Sequence, residues 1–381
     1  MKEAIRDYKI DIQQTVLDDL QARLAMTRFP DKEPVDDWSQ GIPLAYVEDV
    51  AAYWRDSYDW RRCEKALNQY PHYITEIDGV DIHFMHIRSP EPDARPLLMT
   101  HGWPGSIIEF MDVIGPLTDP VAHGGEAKDA YHLVTPSLPG YGFSGKPTKT
   151  GWGIETIAKA WDILMTRLGY DRYFAQGGDW GALVTSTIGV QNLGHCAGIH
   201  INLVVVGAPP EEVMKNPTPE EQASFKRFAA YQTQGGGYAE IQRTKPQTLG
   251  YGLADSPVGQ MAWVLEKFQG WADGGSSPDD SFDRDRLLDN VMLYWLNNAG
   301  ASSARLYRES FASPNVNPVE MPSGCSIFPN EIMTPSRRWA EQRFKNLLYW
   351  SEPDKGGHFA AMEVPEIFLQ EVRGCFGNMQ L

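Results

Sequence analysis

Short apolar strands alternate with helical segments between residues 96 and 206, and this alternation constrains the fold more than any other feature. The pattern predicts strands at 97–100, 131–135, 173–176 and 199–206. It predicts helices at 107–114, 154–168 and 183–190, where apolar residues recur at helical spacing. Such alternation is typical of a parallel sheet covered by helices on both faces. The sequence therefore predicts an α/β fold with a mostly parallel central sheet.

A long helical segment interrupts this pattern. Residues 208–319 are rich in Gly, Trp and Tyr and show no clear strands. Strands resume at 324–328 and 347–350, before a final helix at 366–376. The first 75 residues hold predicted helices and lead into a hairpin with the turn pair Asp78-Gly79. We therefore predict an N-terminal region over 1–75, a first core segment over 76–207, an inserted helical cap over 208–319 and a second core segment over 320–381.

Charge and cysteine content restrict the classes of partner and compartment. The chain has 381 residues and a formal net charge of −16, which disfavours nucleic acid and anionic membranes as partners. No apolar run approaches the roughly 18 residues of a membrane span, and the first residues lack the pattern of a secretory signal. The four cysteines are far apart and form no zinc or disulfide pattern. We expect a cytoplasmic protein with reduced thiols.

The segment G-G-D-W-G at 177–181 contains the first candidate catalytic residue. A tight strand-to-helix turn is crowded, and Gly177 and Gly181 leave room on either side of Asp179. This is the nucleophile-elbow pattern with Asp in place of Ser. An ionised Asp there needs only an electrophilic carbon. The alternative is that Asp179 caps the helix that follows.

A base and an acid follow in chain order. His358 lies in a Gly-rich loop between the last predicted strand and the final helix, where the base of such a triad is expected. Glu331 follows the preceding strand and could orient the His358 ring. Asp354 is a rival acid, four residues before His358. A surface or capping role is the alternative for His358.

The loop H-G-W-P-G-S at 101–106 follows the first core strand. His101 and Gly102 help to shape it, and the tight G-W-P-G turn suggests a cis peptide before Pro104. Backbone N–H groups of Trp103 and Trp180 could together form an oxyanion hole. An ordinary loop is the alternative. His83 and His86 lie on a predicted strand with no third ligand, so we predict no metal site.

Taken together, H-G-W-P-G-S, S-L-P-G-Y-G-F-S, G-G-D-W-G and G-G-H-F-A-A resemble an epoxide hydrolase of the microsomal type with the α/β-hydrolase fold. The resemblance covers essentially the whole chain and implies an N-terminal region that wraps around the catalytic domain. Membrane-bound members carry an N-terminal anchor, and we expect this chain to be similar to the soluble bacterial and fungal members. The resemblance also suggests a homodimer.

The resemblance further implies that two cap tyrosines hold the epoxide oxygen. The matching segments are G-Y-A-E-I-Q-R-T-K-P-Q-T, which contains Tyr238, and A-R-L-Y-R-E-S, which contains Tyr307. Asp179 would then form a glycol ester, and His358 with Glu331 would activate water to hydrolyse it. The implied substrates are a small apolar epoxide and water, with no metal or organic cofactor. The implied role is detoxification, catabolism or biosynthesis.

Two alternatives remain open at this stage. Haloalkane dehalogenases also use Asp at this elbow, although they need halide-binding groups in place of two tyrosines. A catalytically silent binding relative would keep the fold without the chemistry. A serine esterase is disfavoured because Ser144 lies in a loop rather than at a strand-to-helix turn. Aromatic residues of the cap suggest an apolar pocket; they include Trp263, Phe268, Trp271, Tyr294 and Trp295.

Overall fold

The computed structural model describes residues 4–311 and 316–381. Its strands form one sheet, in the order β1-β2-β3-β5-β4-β6-β7-β8-β9. The pairs β1–β2, β2–β3 and β3–β5 are antiparallel, and the other neighbouring strands are parallel. The strands are β1 (Arg6–Tyr8), β2 (His72–Ile77), β3 (Val80–Ile87), β4 (Arg95–Thr100), β5 (Tyr131–Pro136), β6 (Tyr173–Gly177), β7 (Cys196–Ile201), β8 (Val319–Ser326) and β9 (Phe344–Ser351). The predicted mostly parallel sheet and α/β-hydrolase fold are confirmed.

Helices cover the sheet and build the cap. They are α1 (Gln14–Ala25), α2 (Leu44–Asp56), α3 (Trp60–Leu67), α4 (Ile114–Thr118), α5 (Ile154–Arg167), α6 (Asp179–Gln191), α7 (Glu211–Lys215), α8 (Pro219–Ala230), α9 (Gly237–Thr244), α10 (Pro246–Asp255), α11 (Pro257–Trp271), α12 (Arg284–Leu296), α13 (Gly300–Ser310), α14 (Arg337–Ala340), α15 (Ala360–Glu363) and α16 (Pro365–Gly377). Within the described residues, no helix is both long enough and apolar enough to cross a membrane.

Helix α5 shows how the sequence pattern becomes packing. Its residues Ile157, Trp161 and Leu164 recur at spacings of four and three and are all fully buried. The indole Nε1 of Trp161 donates to Thr100 Oγ1 at 3.1 Å, so the one polar atom of this large side chain has a partner. This contact fixes α5 against the end of β4, beside the loop that follows that strand.

The inserted segment is helical, as the sequence predicts. Helices α7 to α13 lie between β7 and β8, and the described part of this segment contains no strand. The predicted cap boundaries, 208 and 319, remain predictions, and residues 312–315 lie outside the described part of the chain.

The N-terminal region joins both the sheet and the cap. Strand β1 extends the sheet by pairing with β2, so the predicted boundary at residue 75 falls within a strand of the main sheet. Tyr53 and Tyr58 donate hydrogen bonds to Asp285 and Asp289 of α12, at 2.8 and 2.7 Å. The first helices therefore connect the cap to the rest of the molecule.

Several predicted elements differ from the structure in kind or extent. The predicted strand at 324–328 is β8, which begins at Val319 and ends at Ser326, and the predicted strand at 347–350 is β9, which begins at Phe344 and ends at Ser351. The predicted helix at 107–114 is a short 3-10 turn (Ile107–Phe110) followed by the separate helix α4. Pro116 explains the break, because proline is tolerated in the first turn of a helix but not in its interior. The predicted strand at 199–206 ends at Ile201, since β8 offers pairing partners only to Ile199, His200 and Ile201.

Candidate active site

Asp179 lies at a strained turn between β6 and α6. Its φ of 49° is in the left-handed region, which non-glycine residues seldom adopt. A Cβ on Gly177 would lie 2.2 Å from the backbone of Gly181, and a Cβ on Gly181 would lie 1.8 Å from Thr100 O. The turn therefore requires glycine at both positions, for the steric reason that the sequence suggests.

The two carboxylate oxygens of Asp179 have different surroundings. Oδ1 accepts a hydrogen bond from Trp103 N at 2.7 Å, whereas Oδ2 lies 3.2 Å from His358 Nε2. Gly102 lets the loop approach this closely, because a Cβ there would lie 2.2 Å from Oδ1. Trp180 N–H lies in the first turn of α6, where amides lack helical partners; within the described residues it makes no hydrogen bond to this carboxylate. One oxygen is thus held by the loop, and the other faces the imidazole.

His358 is placed between Asp179 and Glu331. Its Nδ1 lies 2.7 Å from Glu331 Oε1, and both side chains are buried. Burial opposes a charge on the ring, but the carboxylates of Glu331 and Asp179 outweigh it and raise the pKa of His358 well above 6.5. Asp354, the rival acid, is exposed. Glu331, rather than Asp354, is therefore the acid that contacts Nδ1 of the imidazole.

The loop after β4 is fixed by buried polar contacts. His101 Nδ1 lies 3.0 Å from Gly102 O, and its Nε2 accepts from Leu138 N at 3.2 Å. Burial lowers the pKa of His101 to about 4, so the ring is neutral and can accept that hydrogen bond. The peptide bond between Trp103 and Pro104 is cis, as the tight turn suggests.

Helix α12 of the cap also binds the loop that follows β4, through side-chain hydrogen bonds. Asn290 Nδ2 donates to Pro104 O at 2.7 Å, and Ser106 Oγ donates to Asn290 Oδ1 at 2.7 Å. Tyr294 OH donates to Gly105 O, also at 2.7 Å. The backbone that presents Trp103 N–H is therefore held by the cap as well as by the core.

Tyr238 on α9 and Tyr307 on α13 face the elbow from the cap. Their rings meet edge to face with centroids 5.8 Å apart. Trp103 stacks on Tyr238 at 4.8 Å, and Trp180 packs against Tyr307 at 4.7 Å. Burial raises the pKa of both phenols well above 10, so both are protonated at neutral pH and can donate hydrogen bonds. The structure thus brings both tyrosines to the two tryptophans that flank Asp179.

Of the aromatic cap residues expected to line a pocket, Trp271 contacts the imidazole. Its ring centroid is 4.8 Å from that of His358, and its carbonyl oxygen accepts from His358 N at 2.9 Å. Phe268 and Tyr294 are buried and pack inside the protein. The surroundings of the site are therefore strongly aromatic.

Glu109 is a site residue that sequence reasoning missed. With Asp179 and His358 it lines a cavity of about 10 Å³, which is room for about one water molecule. Burial raises the pKa of Glu109 to about 8; Asp179 adds to this shift, and His358 opposes it. The carboxyl is therefore protonated at neutral pH. The available signal was an acidic residue inside the apolar run I-I-E-F directly after the loop.

Asp273 and Glu363 are a second omission. Asp273 follows α11 of the cap, and its carboxylate accepts from Gly356 N at 2.7 Å and from Asn330 Nδ2. Glu363 accepts from Asp273 N at 2.5 Å and from Gly357 N at 2.8 Å. Asp273 therefore joins the loop of His358 to the loop of Glu331, and Glu363 joins Asp273 to the loop of His358. Their spacing along the chain gives no sign of this contact.

His83 and His86, the two histidines on β3, are each hydrogen-bonded to a neighbouring side chain. His83 Nε2 lies 2.9 Å from His72 Nδ1, and His86 Nε2 lies 2.9 Å from Tyr170 OH. Across residues 4–311 and 316–381, no group of three or more His, Cys, Asp or Glu side chains is placed to hold a metal ion.

Sequence families match most of the chain. Residues 5–110 match the family described as the epoxide hydrolase N terminus, and residues 95–250 match the alpha/beta hydrolase fold. The chain is 50% identical over 377 residues to a Stigmatella aurantiaca protein named "Putative epoxide hydrolase", covering 99% of this chain and 86% of that protein. It is 34% identical to epoxide hydrolase 1 of Sus scrofa, covering 99% of this chain and 90% of the other.

A solved structure of an epoxide hydrolase also matches this chain over its whole length. The epoxide hydrolase of Aspergillus niger superposes with a TM-score of 0.89 at 30% sequence identity, covering 100% of this chain and 97% of that one. The similarity therefore includes the N-terminal region, the core and the cap.

Proposed function

The chain belongs to the microsomal-type epoxide hydrolases of the α/β-hydrolase superfamily, and we propose that it acts through a covalent ester of Asp179. An epoxide hydrolase converts an epoxide and water to a vicinal diol. One observation supports the proposed route most directly. Trp103 N–H holds Asp179 Oδ1, which leaves Oδ2 free of the loop and beside His358.

In the first step, Asp179 Oδ2 attacks one epoxide carbon and the carbon–oxygen bond of the ring breaks. Its electron pair stays on the epoxide oxygen, which receives hydrogen bonds from Tyr238 and Tyr307 and a proton from one of them. Both phenols are protonated at neutral pH, as this role requires. The product of this step is a glycol ester of Asp179.

In the second step, His358 takes a proton from water, and the hydroxide attacks the ester carbonyl carbon of Asp179. Ester formation removes the negative charge of Asp179, which is one of the causes that raise the pKa of His358. The lower pKa lets the ring lose its resting proton to the solvent once the ester has formed, and the neutral imidazole can then act as the base. The cavity beside His358, Asp179 and Glu109 is large enough for the attacking water.

The negative charge of the tetrahedral intermediate develops on Oδ1. Trp103 N–H already lies 2.7 Å from that atom, which is within the range for stabilising an oxyanion. Trp180 N–H is the proposed second donor, because it follows Asp179 in the first turn of α6. When the intermediate collapses, the bond between the carbonyl carbon and Oδ2 breaks, and the leaving alkoxide takes the proton from the His358 imidazolium to give the diol. The Asp179 carboxylic acid then loses its proton and the carboxylate is restored.

The cellular compartment and the oligomeric state of the protein are also part of the proposal. We propose a cytoplasmic homodimer, supported by the resemblance to soluble family members and by four cysteines that are all buried and free; these are Cys63, Cys196, Cys325 and Cys375. Light scattering after size exclusion tests the dimer, since 42.8 kDa is the mass of one chain.

Intact-mass spectrometry of a His358→Gln variant tests the chemistry. Incubated with styrene oxide, this variant should gain the whole mass of the epoxide, on the peptide that contains Asp179. His123→Gln changes an exposed histidine and should turn over without accumulating the adduct. A gain of only the alkyl group from a 1-haloalkane, with no epoxide adduct, would instead identify dehalogenase chemistry. Adducts that survive Asp179→Asn would exclude Asp179 as the nucleophile.

A further inference from the structure

Tyr231 is a cap residue that the proposed mechanism does not use. Its hydroxyl oxygen lies 2.9 Å from the hydroxyl oxygen of Tyr238. It begins a π-helical segment, Tyr231–Gly235, between α8 and α9. Such segments occur often at functional sites. The contact gives Tyr238 a second phenol as its immediate neighbour.

The two phenols differ in their access to solvent. Tyr238 is 6% exposed, whereas Tyr231 is only half-buried and the three residues that follow it, 232–234, are exposed. Burial raises the pKa of Tyr231 to about 12 and that of Tyr238 well above 10. Because Tyr231 lies closer to water, a negative charge is less costly there than on Tyr238.

Lys267 supplies a positive charge on the ring of Tyr238. Its Nζ lies 4.5 Å from the ring centroid, and its side chain is 7% exposed and paired with Glu266. A cation at this distance from an aromatic face is attracted to the electron density of the ring, which increases in a phenolate. The ionisable groups that face Tyr238 are thus Tyr231, Tyr307, Lys267 and Asp179.

On the basis of the proposed function, we propose that Tyr231 is a positioning residue that passes its proton to Tyr238 in the same step in which Tyr238 protonates the epoxide oxygen. The epoxide oxygen takes the proton of Tyr238 as the ring bond breaks, and the Tyr238 phenolate takes the proton of Tyr231. Tyr231 then regains a proton from water; ester hydrolysis releases one proton when the Asp179 carboxylate is restored. Protons and charges therefore balance over one turnover.

This assignment also distinguishes the two cap tyrosines. Tyr238 has the Tyr231 hydroxyl and the Lys267 cation as neighbours. Tyr307 interacts with Tyr238 itself and is otherwise surrounded by the rings of Trp103, Trp180 and Phe311. Tyr238 is therefore the proton donor, and Tyr307 supplies the second hydrogen bond to the epoxide oxygen.

Single-turnover kinetics with styrene oxide test the proposal through Tyr231→Phe. We expect the rate of ester formation to fall about tenfold, which is less than the loss of a direct proton donor, while the rate of ester hydrolysis stays within about twofold. The rate of ester formation is also measured in mixtures of light and heavy water. Its dependence on the deuterium fraction should indicate that more than one proton moves in this step in the wild type and that a single proton moves in the variant. Tyr251→Phe is the matched control, since this cap tyrosine is 70% exposed, and it should match the wild type.

The possible outcomes separate this proposal from the mechanism on which it depends. If Tyr231→Phe forms the ester at the wild-type rate from pH 6 to 9, the relay is wrong while the ester mechanism stands. If no ester forms in the wild type or in His358→Gln, the mechanism fails and the relay fails with it. Should Tyr231→Phe unfold, Lys267→Met provides the second test: it must slow ester formation, and slowing only ester hydrolysis would contradict the proposal.

Discussion

The carboxylate of Asp273 accepts a hydrogen bond from the backbone N–H of Gly356 at 2.7 Å, although the two residues belong to the cap and to the catalytic loop. Gly356 lies two residues before His358, and its φ of +107° requires glycine. A Cβ on the next residue, Gly357, would lie 2.4 Å from Trp271 O. The cap backbone therefore packs directly on the loop that positions the imidazole.

Asp273→Asn should slow ester hydrolysis about tenfold and leave ester formation nearly unchanged. The carboxylate accepts from both Gly356 N and Asn330 Nδ2, and an amide can accept at only one of these positions. A small displacement of His358 then costs rate, because proton transfer depends strongly on geometry. Rapid-quench mass spectrometry of the ester measures both steps.

Asp280→Asn is the control for this change. Asp280 accepts from Ser276 N and Ser277 N within the same cap loop, without touching the catalytic loops. Equal slowing of both steps in Asp273→Asn, or similar behaviour of the two variants, would mean that the contact only stabilises the cap.

Glu331→Gln should lower the rate of ester hydrolysis by about 10- to 100-fold at neutral pH. Without the carboxylate charge, the pKa of His358 falls, so the ring is a weaker base and its orientation is less secure. For the same reason, the acid limb of the pH profile for hydrolysis should move to lower pH. Asp354→Asn changes the exposed rival acid and should leave the profile unchanged. A shift in Asp354→Asn, with none in Glu331→Gln, would reverse the assignment.

The sequence predicted those parts of the site that depend on local geometry. Gly177 and Gly181 identified the turn at Asp179. The clash that excludes a Cβ at Gly177 lies within the turn, with the backbone of Gly181, whereas the clash at Gly181 is with Thr100 O and depends on tertiary packing. Chain order and flanking strands then indicated Glu331 and His358. The strand β1 was missed because three residues are too few to show an alternating pattern.

Residues that act through distant contacts could not be predicted in this way. Asp273 and Gly356 are 83 positions apart, and Tyr231 is one of 16 tyrosines. Glu109 differs from a surface glutamate only in the burial that changes its pKa. These roles arise from tertiary packing, which a single sequence does not reveal.

Arg338→Met should lower the free energy of unfolding more than Arg337→Met does, because it leaves the buried carboxylate of Glu221 without its cation. Glu221 on α8 is buried, and Arg338 Nε donates to its Oε1 at 2.7 Å, which helps to lower the pKa of Glu221 to about 2. Arg337→Met removes only an exposed pair with Glu341 and should cost at most about 0.5 kcal/mol. Urea unfolding compares the two variants. Equal losses would show that burial of the Glu221 carboxylate does not make its pair with Arg338 stronger than the exposed pair.

Glu109→Gln should remove a pH dependence of stability. Burial raises the pKa of Glu109 from 4.5 to about 8, so between these values the folded protein holds a proton that the unfolded chain has released. Its contribution to the free energy of unfolding is therefore complete below about pH 4.5 and falls by up to about 1.4 kcal/mol per pH unit as pH rises towards 8. Glutamine does not titrate, so the variant should gain stability relative to the wild type as pH rises across this range.

Urea unfolding at pH 5.5, 7.0 and 8.5 measures the difference in the free energy of unfolding between the variant and the wild type. Glu366→Gln changes an exposed residue on α16, and the free energy of unfolding of this variant should depend on pH as that of the wild type does. A constant difference between Glu109→Gln and the wild type at all three pH values would mean that Glu109 is already ionised in the folded protein.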